Sequence, residues 1–306
     1  MSRAVRVETL GGPEVLRLED VADEPHAGPG QVRVRVRAAG LNPMDWVIIS
    51  NEEIAARFGI SLPTGFGFDF AGVVDEVGEG AEGFAVGDRV FGGALSRAVA
   101  DHVVVTLSAD QLLHTPDAVD DVTASTLPVA AATAAAALAA ARVGDGDTVL
   151  IGGAAGGVGV FAVQLARLAG ARVLATSSEG SFEFLRGLGA EPIRYGEGLV
   201  DRVRAAAPDG IDAATDLYGT ETAYAALALD VPAERISTIA AQDPDLHVQA
   251  TGGTDAEPGT LDHIASLVAE GRLVVPIAAQ YPVEQIREAV ELQAGRHVRG
   301  KVVVTL

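Results

Sequence analysis

The chain contains no cysteine. Disulfides, thiolate nucleophiles, iron–sulfur clusters and cysteine-ligated zinc are excluded together. Aromatic residues make up only 5 % of a chain that is 48 % hydrophobic, so its cores must be built mainly from Ala, Val, Leu and Ile. Basic residues are also few: 22 Lys and Arg stand against 42 Asp and Glu, a formal net charge of −20. The deficit is −8 over residues 1–115 and −12 over residues 116–306, so no acidic tail accounts for it. Nucleic acid and anionic membranes both require clustered cations, and neither is an expected partner. Long apolar runs are missing as well. The N-terminal MSRAVRVETLGGPEVL has no continuous apolar segment, and elsewhere Gly, Thr or charge interrupts each run before the roughly 18 residues of a membrane helix. A soluble cytoplasmic protein is expected.

What the chain does have is length and glycine. At 306 residues it exceeds the roughly 250–300 at which one core stops growing, which suggests two domains. Its 36 Gly point to many turns or to backbone that approaches a ligand closely.

The first 110 residues show short β-type runs at Val5–Val7, Gln31–Arg37, Ala71–Val74 and Asp101–Val105. Strict alternation from Val32 to Arg37 puts three Val on one face and three Arg on the other, a half-buried strand of an antiparallel or mixed sheet. The three Arg read as a solvated strand face rather than a phosphate patch. From about residue 117 the texture changes. The pattern predicts a helix over 123–141 and a buried strand over 148–151, then helices over 158–169, 182–187, 199–206 and 221–229 alternating with strands over 172–176, 192–194, 211–216 and 235–239. Such alternation implies βαβ units and a doubly wound parallel sheet, hence an α/β protein. Helices over 259–270 and 283–294 and a strand over 301–306 follow, and periodicity leaves open whether they extend the parallel sheet or return to the first region.

The most informative segment is Thr148-Val149-Leu150-Ile151-Gly152-Gly153-Ala154-Ala155-Gly156-Gly157-Val158-Gly159, a buried strand running through a Gly-rich turn into an amphipathic helix. Without side chains at Gly156 and Gly157 the backbone can approach a pyrophosphate, and the helix start near Val158 supplies free amides and a positive dipole end. Gly159 allows close packing of helix on strand. Backbone amides hold a polyanion without Lys or Arg, which suits so acidic a chain. About 20 residues on, where an acidic residue would hold the ribose 2′-hydroxyl of NAD, stand Thr176-Ser177-Ser178. Small hydroxyl residues admit a 2′-phosphate, so NADP(H) is favoured, with Arg194 and Tyr195 on the next strand to complete the site; the nearby Glu179 keeps NAD open.

With these residues in hand, the chain resembles the medium-chain dehydrogenase/reductase superfamily, in its zinc-free quinone oxidoreductase branch. The matching pieces are Ala38-Ala39-Gly40-Leu41-Asn42-Pro43-Met44-Asp45, Pro63-x-x-x-Gly67-x-Asp69-x-Ala71-Gly72-Val73-Val74 with Gly78, and Val86-Gly87-Asp88-Arg89-Val90. They continue with Leu127 to Ala134, the Gly turn running into Gln164-Leu165-Ala166, Phe184-Leu185-Arg186-x-Leu188-Gly189-Ala190, and Gly300 to Val304. The resemblance implies a GroES-like catalytic β domain over 1–117, a Rossmann cofactor domain over 118–258, and a return to the first domain over 259–306, with the nicotinamide in a cleft between domains.

The same resemblance implies a cofactor set of Thr133, Ala155, Gly156, Gly157, Val158, Thr176, Ser177, Ser178, Arg194, Tyr195, Ile239 and Ala240, and catalytic roles for Asn42 and Asp45. On the residues alone, Asn42-Pro43 is a turn and Asp45 a helix N-terminal residue. Where zinc enzymes of the superfamily carry Gly-His-Glu, this chain reads Gly67-Phe68-Asp69, and its six His are scattered, so no metal is expected. Without a Lewis acid, hydride transfer suits acceptors that are already electron-poor. The expected substrate is a quinone or an α,β-unsaturated carbonyl, and the expected assembly a homodimer. An enoyl reductase of a biosynthetic pathway, or a non-catalytic nucleotide-binding sensor, is the alternative. The sequence departs from the branch after Asp45, where Val47 replaces an aromatic hydroxyl, and at Ala100-Asp101-His102. It offers no evident proton donor. Trp46, Phe66 and Phe68 either line an apolar pocket or belong to the core.

Overall fold

A computed structural model of the chain describes residues 2–22, 25–240 and 243–306. Two compact units emerge, one of Met1–Val129, Asp262–Arg272 and Ile277–Leu306, the other of Ala130–Leu261 and Leu273–Pro276. The second is therefore an insertion in the chain path of the first.

The first unit opens with β1 (Ser2–Val7), β2 (Leu16–Val21) and β3 (Gln31–Gly40), continues through α1 (Pro43–Ser50) and α2 (Glu52–Arg57), and then forms β4 (Asp69–Val77), β5 (Arg89–Gly93), β6 (His102–Thr106), β7 (Gln111–His114) and α3 (Asp121–Ala124). β1 and β2 pair antiparallel by themselves. Along β3 the alternation works as the pattern requires on one side: Val32, Val34 and Val36 are buried with Phe70, Val74, Val90, Val103 and Val105. On the other side Arg35 and Arg37 are exposed, and Arg33 alone is largely covered. Arg33 is only 13 % exposed because Asp75 takes its Nε at 2.8 Å, and Arg37 reaches Asp121 at 3.1 Å.

The second unit takes in most of α4 (Leu127–Ala140), whose first residues belong to the first unit. The helix expected over 123–141 is broken between α3 and α4. Ser125 and Thr126 turn their hydroxyls back onto the carbonyls of Val122 (2.8 Å) and Thr123 (2.6 Å), the local bonding by which such residues interrupt helices. Then β8 (Thr148–Gly152), α5 (Gly159–Leu168), β9 (Arg172–Ser177), α6 (Phe182–Gly187), β10 (Glu191–Arg194), α7 (Leu199–Ala206), β11 (Ala213–Asp216), α8 (Glu221–Leu227), β12 (Ile236–Thr238) and β13 (Gln249–Ala250) follow. Their sheet is wholly parallel, in the order β10-β9-β8-β11-β12-β13. Numbered within the sheet this is 3-2-1-4-5-6, the doubly wound order in which strand sequence reverses beside the first strand. β13 is two exposed residues with no apolar signal, which is why the sequence pattern passes over it.

The chain rejoins the first unit within α9 (Thr260–Ala269), at Asp262, and after Leu273–Pro276 stays in it through β14 (Ile277–Pro282), α10 (Ile286–Ala294) and β15 (Lys301–Thr305). β15 pairs antiparallel with β3, Val303 opposite Gly40, and parallel with β14, closing a seven-stranded sheet. Val302 and Val304 are buried beside Leu41, Ile49 and Phe66. This pairing brings the last residues of the chain to the end of β3.

Candidate functional site

Most of the residues named from sequence fall into two clusters, one in each unit. In the second unit, β8 carries the fully buried Val149, Leu150 and Ile151 to the middle of the parallel sheet and stops where its neighbours leave no room. A Cβ on Gly152 would lie 2.3 Å from Thr222 Oγ1. Gly153 has φ of +68°, a conformation that a Cβ penalises, and its carbonyl accepts from Gly156 N at 3.0 Å to close the turn. At Gly159 a Cβ would lie 2.4 Å from Gly153 O and 2.5 Å from Ala154, so α5 starts directly against the loop. Gly156 differs, because there a Cβ would meet only Gly153 O, at 3.3 Å. The amides of Gly157 and Val158 find no acceptor among the described residues, and with Ala155 they are half-buried at the start of α5. Backbone donors and a helix dipole there form a seat for an anion such as a pyrophosphate.

The neighbouring strand ends complete this edge. Asp216, at the end of β11 opposite Gly152, is buried and already committed: its carboxylate accepts from the amides of Tyr218 (3.1 Å), Gly219 and Thr222 (2.8 Å each). Ile239 N donates to Asp216 O at 3.2 Å, which sets Ile239 and Ala240 just past β12 at the same end of the sheet. Thr133 is buried one turn before Ala137, whose carbonyl accepts from Ser237 Oγ of β12 at 2.8 Å.

At the end of β9, Thr176 and Ser177 are buried while Ser178 and Glu179 are exposed. Arg194 stands opposite Ser177 in the parallel register, so both leave the same face of the sheet, and Tyr195 N reaches Ser177 O at 3.4 Å. The loop that follows is tied by Arg202, whose guanidinium donates to the carbonyls of Arg194 (2.9 Å), Tyr195 (3.2 Å), Gly196 (2.9 Å) and Glu197 (2.8 Å). Arg194 and Tyr195 themselves are exposed.

The first unit holds a different arrangement. Asn42 caps α1, Pro43 begins it, and the Asp45 carboxylate accepts from Asn42 N at 2.7 Å, so Asp45 is indeed a first-turn residue of a helix. Both side chains are buried, and they do not stand alone. Asn42 Nδ2 donates to Asp69 Oδ2 at 2.7 Å, and Asn42 Oδ1 accepts from Lys301 Nζ at 2.6 Å. Lys301 Nζ also donates to Leu41 O at 3.0 Å and lies 3.9 Å from Asp69 Oδ2, while Asp69 Oδ1 accepts from Val129 N at 3.0 Å. Burial pushes the Asp45 carboxyl up to about 8, against the backbone amide of Asn42, which favours the charged form. It pushes Asp69 up to about 6 despite the opposing pull of Lys301, and it lowers Lys301. In the dry interior these groups are driven toward their neutral forms.

Comparison with known proteins bears directly on this pair of clusters. The Alcohol dehydrogenase GroES-like domain family matches residues 28–110 and the Zinc-binding dehydrogenase family matches residues 188–304. Quinone oxidoreductase from Homo sapiens is 30 % identical over 331 residues, covering 100 % of this chain and 98 % of the relative. The chain belongs to the medium-chain dehydrogenase/reductase superfamily, in its quinone oxidoreductase-like branch. Two solved structures of similar shape are CurK enoyl reductase, with a TM-score of 0.87, 26 % identity and 99 % coverage of each chain, and mycobacterial Rv1454c complexed with NADPH, with a TM-score of 0.87, 26 % identity and 100 % coverage of each chain. This medium-chain reductase is thus an oxidoreductase of mixed α/β architecture, with a GroES-like domain and a Rossmann-like parallel sheet.

Although one of the matching families is described as zinc-binding, the residues of this reductase do not fit a zinc site. It has no Cys, and among the described residues no three His, Asp or Glu gather as ligands. Where zinc enzymes of the superfamily carry a His, Phe68 packs its ring on Gly93, at which a Cβ would lie 2.0 Å from Phe68 Cε1, and the adjoining carboxylate of Asp69 is engaged with Asn42 near Lys301. Phe66 is 1 % exposed within the core, and Trp46 packs partly against that core with its Nε1 donating to Gln293 Oε1 at 2.9 Å. The Ala100-Asp101-His102 departure is structural: Asp101 binds Arg3 of β1 at 3.0 Å, and His102 lies between Ser2 Oγ (3.1 Å) and Asp75 (3.2 Å). A cavity of about 440 Å³ lined by Arg37, Asp121, Ile277, Gln280 and their neighbours contains none of the candidate catalytic, cofactor or pocket residues.

Sequence reasoning missed Asp69 and Lys301 as members of the Asn42 cluster. One signal was available: Lys301 is the only Lys in the chain.

Proposed function

We propose that this reductase is a zinc-independent, NADP(H)-dependent enzyme that transfers hydride to a quinone or an α,β-unsaturated carbonyl. The observation that supports it best is the Gly152–Gly159 turn on the first strand of the 3-2-1-4-5-6 sheet, with room at Gly156 and two amides that find no acceptor among the described residues. In this reading Ala155, Gly156, Gly157 and Val158 hold the pyrophosphate, and Ile239, Ala240 and Thr133 contact the nicotinamide half. Thr176, Ser177, Ser178, Arg194 and Tyr195 receive the 2′-phosphate. NADPH supplies the hydride. The protein's part is to position the acceptor and to stabilise the enolate or hydroquinone anion that forms. Asn42 and Asp45 belong to that task.

Names of similar proteins support both acceptor classes, since a quinone oxidoreductase and an enoyl reductase are each similar over nearly the whole chain. The same proposal includes a homodimer and a cytoplasmic location; among the described residues no helix is long and apolar enough to cross a membrane.

The test is NADPH oxidation across a panel of 1,4-quinones and enones, paired with fluorescence titration of NADPH and NADH. Turnover of at least one class with tighter binding of NADPH is the expected result. Cofactor binding with no turnover would leave a non-catalytic nucleotide-binding protein.

A further inference from the structure

Of the 22 basic residues, 21 are Arg and one is Lys, and that one is 2 % exposed. Every other basic position tolerates a guanidinium. At residue 301 the surroundings do not: the ammonium sits among Leu41 O, Asn42 Oδ1 and Asp69 Oδ2 at 3.0, 2.6 and 3.9 Å. A compact ammonium directs three donors at such a cluster, whereas the flat five-donor fork of Arg needs more room and cannot be deprotonated.

The contacts also determine the geometry of Asn42. A donor on one side and an acceptor on the other fix its amide, Oδ1 toward Lys301 and Nδ2 toward Asp69. Asn42 N in turn holds the Asp45 carboxylate. Lys301 lies on β15 and Asp69 on β4, so two strands clamp the turn that precedes α1.

We propose that Lys301 is a positioning residue for the reaction, acting through Asn42 and Asp69 to hold the Asn42–Asp45 segment, and that its ammonium rather than its bulk performs this role. The inference rests on the functional reading above, which gives that segment its part in the reaction.

Lys301→Met removes the ammonium and keeps the chain length, and Lys301→Arg keeps the charge with the wrong shape. Both variants are expected to bind NADPH within threefold of the wild-type Kd by fluorescence titration. Single-turnover oxidation of bound NADPH by 1,4-benzoquinone is expected to slow about 100-fold in Lys301→Met, the scale of a misplaced reacting group. The pH profile should shift upward, because Asp45 and Asp69 lose a cation that lowers both. Lys301→Arg, which keeps the cation, should hold the profile near that of the wild type while the rate stays slow, because its flat fork does not reproduce the compact contacts to Leu41 O and Asn42 Oδ1. A lysine of merely structural use would lower the melting temperature and leave the rate and profile of the folded enzyme unchanged, which overturns the proposal.

If Lys301→Met does not fold, wild-type protein labelled with ¹³C at lysine Cε gives a single resonance to read. It should titrate below the ordinary 10.5 and move in Asp69→Asn. Titration like a solvent lysine, indifferent to Asp69→Asn, overturns the proposal. Wild-type enzyme that binds NADPH but reduces nothing overturns the functional reading and the positioning role with it, while the resonance still reports whether the buried network exists.

Discussion

In the second unit the Gly152–Gly159 turn offers backbone amides at the carboxyl end of a parallel sheet, whereas in the first unit Asn42, Asp45, Asp69 and Lys301 are shut away from water and bonded to one another. The difference is in what supplies the polarity. Amides and a helix dipole are fixed charges that need no counter-ion and do not titrate, so an acidic chain can use them on a polyanion. Side-chain charges in a dry interior lose their hydration and persist only through close partners, which makes them sensitive to pH and to each other.

The contrast breaks most visibly at glycine. In Gly159→Ala the new Cβ meets backbone atoms at 2.4–2.5 Å, so the loop and α5 must separate. We expect a loss of NADPH affinity of 100-fold or more together with destabilisation on the order of 1–3 kcal/mol, read by fluorescence titration and thermal melting. Gly156→Ala meets only one carbonyl at 3.3 Å. Its melting temperature should change little while NADPH binding weakens about tenfold, because the methyl occupies the ligand's space. Equal melting losses in both variants would mean that Gly156 serves the turn and not a ligand.

These two clusters were unequally legible for a physical reason. The turn is written in twelve consecutive residues, because steric need for glycine and the start of a helix are local requirements. The buried cluster joins Asn42 to a lysine 259 positions away and to Asp69, 27 away. It exists only because β15 pairs with β3, and each member alone has an ordinary reading: a cap, a first-turn carboxylate, a strand residue. Similarly, the strand–helix alternation from 148 to 239 is readable from periodicity, while within a region dominated by β-type runs α1 shows only through Asp45 at its start and α2 not at all. The break between α3 and α4 depends on which carbonyls Ser125 and Thr126 reach, which no period reveals.

A change of pH should separate the units next. Asp45 has a folded value of about 8 against 3.8 for the ordinary group, and Asp69 about 6. Between about 4 and 8 the folded protein therefore binds more protons than the unfolded chain, and unfolding free energy falls as pH rises through that window. Lys301 acts with the opposite sign, adding stability as pH rises from its lowered value toward 10.5. Urea midpoints at pH 5 and pH 8 should show the higher stability at pH 5. Asp45→Asn, which keeps an acceptor for Asn42 N, should flatten the difference. An unchanged slope in that variant would remove Asp45 as its source.

A smaller effect is expected where the second unit does rely on a side chain. Arg202 gathers four carbonyls of the 194–197 loop, beside the proposed 2′-phosphate position. In Arg202→Met the ratio of NADH to NADPH dissociation constants should fall about tenfold, roughly one charge-assisted contact. NADH affinity itself should hold, since the proposed pyrophosphate seat is backbone. Parallel losses for both cofactors would mean that the loop supports the sheet rather than selecting the phosphate.

The least costly change tests whether burial, and not charge as such, distinguishes the first unit's cluster. Arg37 pairs with Asp121 at 3.1 Å on the same sheet as Lys301, but with 51 % of its side chain exposed, and Asp121 keeps a second partner in Arg89 at 2.7 Å. Water already solvates that guanidinium, and removing it strands no buried charge. Arg37→Ala should cost no more than about 0.5 kcal/mol, where loss of one partner from a buried pair costs about 3–5 kcal/mol. Urea denaturation of Arg37→Ala and Lys301→Met side by side measures both. If the two losses were alike, the Asn42 cluster would be ordinary surface electrostatics, and its exclusion from water would explain nothing about the reductase.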